Sequence, residues 1–111
     1  MKIIYTKSFP PGNFHAINIF GCLFVQRRWG KMLDFELNHE YIHTMQQIEM
    51  LFVGFYLWYG VEYLVRLIQQ KGNSNLAYHS ISFEREAYAN QKVPDYKKHR
   101  RPYSWSKYLN K

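Results

Sequence analysis

The pentapeptide His39-Glu40-Tyr41-Ile42-His43 constrains this chain more than any other stretch. Two histidines four apart on a helix project from one face, one turn above each other, so both imidazoles reach a single metal ion. A glutamate beside the first histidine reaches a water on that metal and serves as its general base. The pattern therefore demands a helix through these residues and a third ligand from elsewhere in the chain. Its chemistry is that of a zinc-dependent hydrolase.

Composition narrows the rest. A chain of 111 residues is one domain with a modest core. Aromatics at 19% and hydrophobic residues at 47% argue against disorder. The single cysteine, Cys22, excludes a disulfide framework and a cysteine-rich zinc finger, so the metal ligands must be histidine and carboxylate. Cys22 stands in the apolar run Gly21-Cys22-Leu23-Phe24-Val25 and reads as a small buried hydrophobe. Residues 1–7 show no long apolar stretch and no small-residue cleavage site, so no secretory signal is expected. A cytoplasmic location follows as the default, with membrane association left open.

The net charge of +7 is uneven. From Lys92 onward seven basic residues face Asp95 alone, whereas residues 1–91 carry eight basic and seven acidic side chains. The chain divides on this basis into a metal-binding domain at 1–91 and a basic tail at 92–111, the latter interleaved with Tyr96, Tyr103, Trp105 and Tyr108. Such a tail can meet anionic lipid or nucleic acid. The simpler reading, a solvated terminus with some aromatics packed back, is preferred, and nucleic acid is not an expected partner.

Residues 2–6 are β-prone, and Pro10-Pro11-Gly12-Asn13 predicts a turn. The stretch 14–28 predicts two short strands, or one interrupted at Gly21. Asp34 is placed as an N-cap. From Phe35 to about Gln70 there is no proline, which predicts two helices or one bent near Gly54 or Gly60, with a stop at Lys71-Gly72. The segment 50–68 is too short in uncharged residues to span a membrane and is expected as a buried core helix. An interfacial helix is the alternative. Glu62 and Arg66 are spaced to pair. Asn73-Ser74-Asn75 reads as a connector, and Ser82 as the cap of a last helix running to about Gln91 before Pro94.

That last helix offers two carboxylates for the third ligand position, Glu84 and Glu86. Two residues apart, they point away from each other. One faces the metal, and the other is solvated or paired with Arg85 or a tail lysine. The run from His39 to Gln46, followed by Glu84-Arg85-Glu86-Ala87, resembles the gluzincin group of zinc metallopeptidases, above all its small minigluzincin-like members. The resemblance implies that His39, His43 and Glu84 bind zinc and that Glu40 is the general base. Tyr88 stands where the family often has a supporting aspartate. Asn38, the aromatic run Phe55–Tyr59 and the closing Tyr103–Tyr108 segment are more loosely similar to a small bacterial family with this helix pair, which carries no substrate assignment. The resemblance also implies a strand edge ahead of the motif helix, able to hold an extended peptide, in the stretch Ala16–Val25.

Gln46 and Gln47 are expected to support or flank the site. His79 is read as a surface histidine ahead of an oxyanion donor, and Tyr41 and Tyr88 likewise. The expected fold is α+β: a small N-terminal sheet, the motif helix, a long apolar helix and a C-terminal ligand helix. The expected activity is zinc-dependent hydrolysis of peptide or protein substrates. Its rival is a non-proteolytic zinc-binding protein that meets a membrane surface or protein partner through residues 50–68 and 92–111.

Overall fold

A computed structural model of the chain describes residues 1–7, 9 and 15–109, so the turn expected at Pro10–Asn13 lies outside the described residues. The architecture is α+β, a three-stranded sheet followed by helices. Strands β1 (Lys2–Thr6), β2 (Ala16–Ile19) and β3 (Cys22–Gln26) are ordered β1-β3-β2. β1 runs parallel to β3, with Lys2 opposite Cys22, and β2 is antiparallel to it, with Ile19 opposite Cys22. Phe20 and Gly21, both at positive φ (50° and 80°), form the two-residue turn between β2 and β3. Two such angles in succession match the twist of the flanking strands, which is why the chain is interrupted at Gly21.

Helix α1 (Asp34–Glu49) starts one residue earlier than the Asp34 cap predicts. Asp34 is its first helical residue, and the Glu36 carboxylate accepts from the Leu33 backbone N–H at 2.8 Å. Helix α2 (Val53–Gln69) follows at 111° to α1. The break falls at Met50-Leu51-Phe52, ahead of both glycines. Leu51 adopts φ 55°, and the Phe52 N–H reaches back to the Gln47 carbonyl at 2.7 Å, closing α1 in the manner usually given to glycine. Packing of Phe52 on Phe20 (5.7 Å between ring centres) holds the corner. Gly54 and Gly60 stay inside α2, and Lys71-Gly72 ends it as expected.

Helix α3 (Ser74–Ser80) occupies the expected connector, because the Asn73 side chain accepts from the Leu76 N–H and starts a turn there. Helix α4 (Ser82–Asn90) carries the candidate carboxylates. Ser82 is its first residue and not its cap. The Glu62 carboxylate of α2 accepts from both the Ser82 N–H (2.7 Å) and its hydroxyl (2.6 Å), placing negative charge at the positive end of α4. At the other end the Asn38 amide of α1 donates to the carbonyls of Gln91 and Val93 at 2.8 and 2.9 Å. Both ends of α4 are thus fixed by side chains from other helices.

The short helix α5 (Tyr96–His99) and a 3-10 turn over Ser104–Tyr108 complete the chain. Trp105 joins Phe55, Ile81 and Phe83 in the core. Arg100 bridges Glu49 (2.8 Å) and Glu86 (2.6 Å), so the C-terminal segment is fastened to α1 and α4. The buried core helix expected over 50–68 does not form. Among α2 residues only Phe55 and Glu62 are buried, because the helical repeat turns Glu62 and Arg66 (3.3 Å apart) toward the protein.

Leu51 strains α1's terminus and is 82% exposed, so its side chain packs little. Leu51→Gly is expected to raise unfolding stability by about 1 kcal/mol, read from urea denaturation.

Candidate metal centre

His39 and His43 both point inward from α1 and are buried, as is Glu84 on the facing side of α4. Their ligand atoms meet at one point. His39 Nε2 lies 3.2 Å and His43 Nε2 3.0 Å from Glu84 Oε1, and the two ring nitrogens are 3.1 Å apart. The trio can hold a metal ion.

The protons of the site are dictated by its neighbours. The Gln46 amide nitrogen donates to the Phe83 carbonyl (3.1 Å) and to Glu86 Oε1 (2.9 Å), both acceptors, so its oxygen must be the atom facing His43. His43 Nδ1 therefore donates to Gln46 Oε1 at 2.8 Å. His39 Nδ1 meets Gln91 Oε1 at 2.9 Å in the same sense. With Nδ1 committed on each neutral ring, both Nε2 atoms present bare lone pairs toward each other and toward a carboxylate oxygen. Such a set is stable only around a cation.

A proton fills that need when no metal is bound. Burial pushes the His43 pKa down, but the Glu84 charge and its hydrogen bond outweigh this and raise it to about 9. Burial likewise raises Glu84, yet the charge of His43 and its hydrogen bond hold the carboxyl well below the usual carboxylate range.

Glu84 Oε2 accepts from the Tyr59 hydroxyl at 2.7 Å. Burial, followed by the Glu84 charge, pushes the Tyr59 pKa up, so the phenol stays a donor. Tyr59 on α2 thereby orients the carboxylate of the trio. Tyr88 does not take that role. Its ring packs edge-on against His39 (4.5 Å) and stacks on His79 (5.0 Å). His79 is exposed, with Nδ1 on the Asn75 carbonyl, which accords with a surface histidine. Tyr41 lies beneath the Lys97 ammonium at 4.0 Å.

Glu86 is neither solvated nor paired with Arg85 or a lysine. It is fully buried and binds Gln46, the Tyr96 hydroxyl (2.5 Å) and Arg100. A continuous path of hydrogen bonds runs from His43 through Gln46 and Glu86 to Arg100. Gln47 supports the surroundings, accepting from the Gly21 N–H at 2.8 Å.

Beside the trio opens a cleft of about 740 Å³, lined by Glu40, His43, Glu84, Tyr59, Tyr78 and strand β2 among others. Burial raises the Glu40 pKa, opposed by the charges of His43 and His39 and reinforced by Glu84. Asn18 anchors β2 against α1, donating to the Glu40 carbonyl (3.1 Å) and to Thr44 Oγ1 (2.9 Å). Sequence reading missed Tyr59, Tyr78, Gln91 and Asn18, because no spacing within one helix connects them to the motif. No family model, curated protein or solved structure matches the chain.

Glu84→Gln is expected to weaken metal affinity at least about 100-fold, and Tyr59→Phe by about 10–100-fold. Glu86→Gln should cost about 3 kcal/mol of stability with less than about tenfold change in affinity. Metal titration and denaturant melts of the three variants check the order. Because the His43 pKa in the metal-free site is raised, that proton is present below about pH 9 and must leave when a metal enters. Uptake at pH 7 should release about one proton, and affinity should drop about tenfold per unit as pH falls below 9. Calorimetry in buffers of different ionisation enthalpy measures both.

Proposed function

We propose that the chain is a zinc metallopeptidase, with His39, His43 and Glu84 holding the ion and Glu40 acting as general base. The observation that carries this reading is the convergence of three lone-pair donors in the cleft that Glu40 also lines. Two imidazole nitrogens and one carboxylate oxygen form a donor set suited to zinc with one position open. Their separations of 3.0, 3.1 and 3.2 Å are close to the edge of about 3.3 Å expected between ligands around tetrahedral zinc. The gluzincin resemblance of the same residues supports the assignment.

Zinc, when bound, supplies a Lewis acid that polarises a substrate carbonyl and acidifies water. The chain's own groups supply the rest. Glu40, its pKa raised by burial, accepts the proton of the attacking water and returns it to the departing amine. Tyr78 lines the cleft, and burial with the Glu84 charge keeps its phenol protonated, giving a donor for charge developing on the carbonyl oxygen. Tyr59 and Gln46 hold Glu84 and His43 in place. β2 pairs with β3 on one side only, and its outer edge, unpaired among the described residues, borders the cleft. An extended peptide can add there as a fourth strand, its backbone amides satisfying that edge.

Purified protein should contain one zinc per chain by elemental analysis, lost in His39→Ala and in His43→Ala. Glu40→Gln should retain the zinc but hydrolyse a peptide library about 10²–10⁴-fold more slowly, followed by mass spectrometry with a chelator control. Equal cleavage by this variant rejects Glu40 as the base. Full zinc loading with no cleavage by wild type rejects the peptidase reading.

A further inference from the structure

Helix α2 is built inside out. Its protein-facing side carries Phe55, Tyr59, Glu62 and Arg66, whereas Val53, Leu57, Val61, Leu64 and Ile68 recur at spacings of three and four on the opposite side. Those five are 62%, 67%, 63%, 59% and 79% exposed. A surface helix of a water-soluble domain normally turns its aliphatic stripe inward and its charges outward. Here a 17-residue helix, about 25 Å long, presents an aliphatic ridge to the exterior.

The apolar surface extends to both sides of the ridge. On one side Phe20, at the tip of the β2–β3 turn, is 54% exposed and packs on Tyr56, which also lines the catalytic cleft. On the other side a groove of about 580 Å³ runs along Leu57, Trp58, Val61 and Val65 to Leu109. Contiguous apolar surface on this scale marks an interaction site.

The exposed charge is predominantly positive. Of the eight acidic residues only Asp34 and Asp95 are exposed, because Glu62, Glu84 and Glu86 are buried and Glu49 is tied to Arg100. Lys71, Lys92, Lys97, Lys98, Arg101 and Lys107 are all exposed. Lys71 follows the end of α2, and Lys107 belongs to the 3-10 turn whose Trp105 touches Trp58 (5.1 Å).

We infer that this face docks on an anionic lipid bilayer. α2 lies in the plane of the interface, its ridge in the boundary between headgroups and acyl chains, while Lys71 and Lys107 at its margins meet the negative surface. It lies there and does not cross. Its inner side carries the Glu62–Arg66 pair, and no single helix among the described residues is long and apolar enough to span. Charge decides between lipid and a second copy of the chain. Two copies, each at +7, bring like charge to a shared interface, and among the described residues no exposed acidic side chain lies on α2 to pair across it. An anionic bilayer offers an apolar interior beneath a negative surface, the complement of both features. The shared rim at Phe20 and Tyr56 then sets the cleft beside the bilayer.

The test is flotation of the full-length protein with phosphatidylcholine vesicles, with and without phosphatidylglycerol. Wild type is expected to float with the anionic vesicles only, and less so at high salt. Leu57→Glu/Val61→Glu should lower that binding at least about tenfold, with circular dichroism and metal content unchanged, and Ile68→Glu alone should lower it in the same direction. In a Trp29→Phe background, where Trp58 and Trp105 remain, emission should shift to the blue on binding. Absence of flotation with anionic vesicles overturns the inference, as does equal flotation with neutral ones or equal binding by both variants. A dimer that the double variant dissociates, seen by sedimentation equilibrium, assigns the face to a second copy instead.

Discussion

Three lone pairs aimed at one point beside the cleft repel unless a positive charge stands between them, and the fold is arranged around that demand. His39 Nε2, His43 Nε2 and Glu84 Oε1 lie 3.0–3.2 Å from one another. Nothing about α1 and α4 separately brings them together. They stay together because each ring's other nitrogen is occupied by a glutamine oxygen, and because the second oxygen of Glu84 accepts from Tyr59. Removing the positive charge would leave buried polar atoms opposed without compensation, a cost far above that of any single surface contact.

The ligand helix α4 shows how a short element is made rigid. Nine residues form too little helix to hold its place by propensity alone. Glu62 closes its N-terminus from α2, and Asn38 gathers carbonyls at its C-terminus from α1. Glu86 then locks its middle to Gln46 and Arg100. One side of α4 therefore meets the two histidines and the other ties the C-terminal segment to the body, so the basic end of the chain is structurally coupled to His43.

Helix α2 serves the site and the exterior with opposite faces. Inward it supplies Tyr59 to Glu84 and Glu62 to Ser82, both polar contacts that an aliphatic inner face could not make. Burying that polar side leaves the aliphatic residues outside, where Leu57, Val61 and Ile68 stay exposed. The exposed ridge is thus a consequence of how Glu84 is positioned, and it is also the surface through which the molecule can meet an apolar environment.

Local rules determined a good part of this. The four-residue spacing placed His39 and His43 on one helix face, Gly21 marked the strand turn, and the proline-free run from Phe35 gave two helices ended at Lys71-Gly72. Single-residue preference also misled where long-range contacts outweighed it. α1 ends at Glu49 and the chain turns at Leu51, ahead of two nearby glycines, since Phe52 packs on Phe20 there. The apolar composition of 50–68 suggested burial, but composition does not say which face meets the protein. Glu84 and Glu86 are nearly equivalent in the sequence, and only their neighbours tell them apart: two imidazoles and a phenol around one, a guanidinium, an amide and a phenol around the other. The sequence determined the motif helix, the helix after it and the carboxylate-bearing helix, and that two histidines share a face, whereas α3 formed where a connector was expected. Only the tertiary structure decided which carboxylate joins them, which tyrosine orients it and which side of α2 faces out, because each depends on groups brought together from distant parts of the chain.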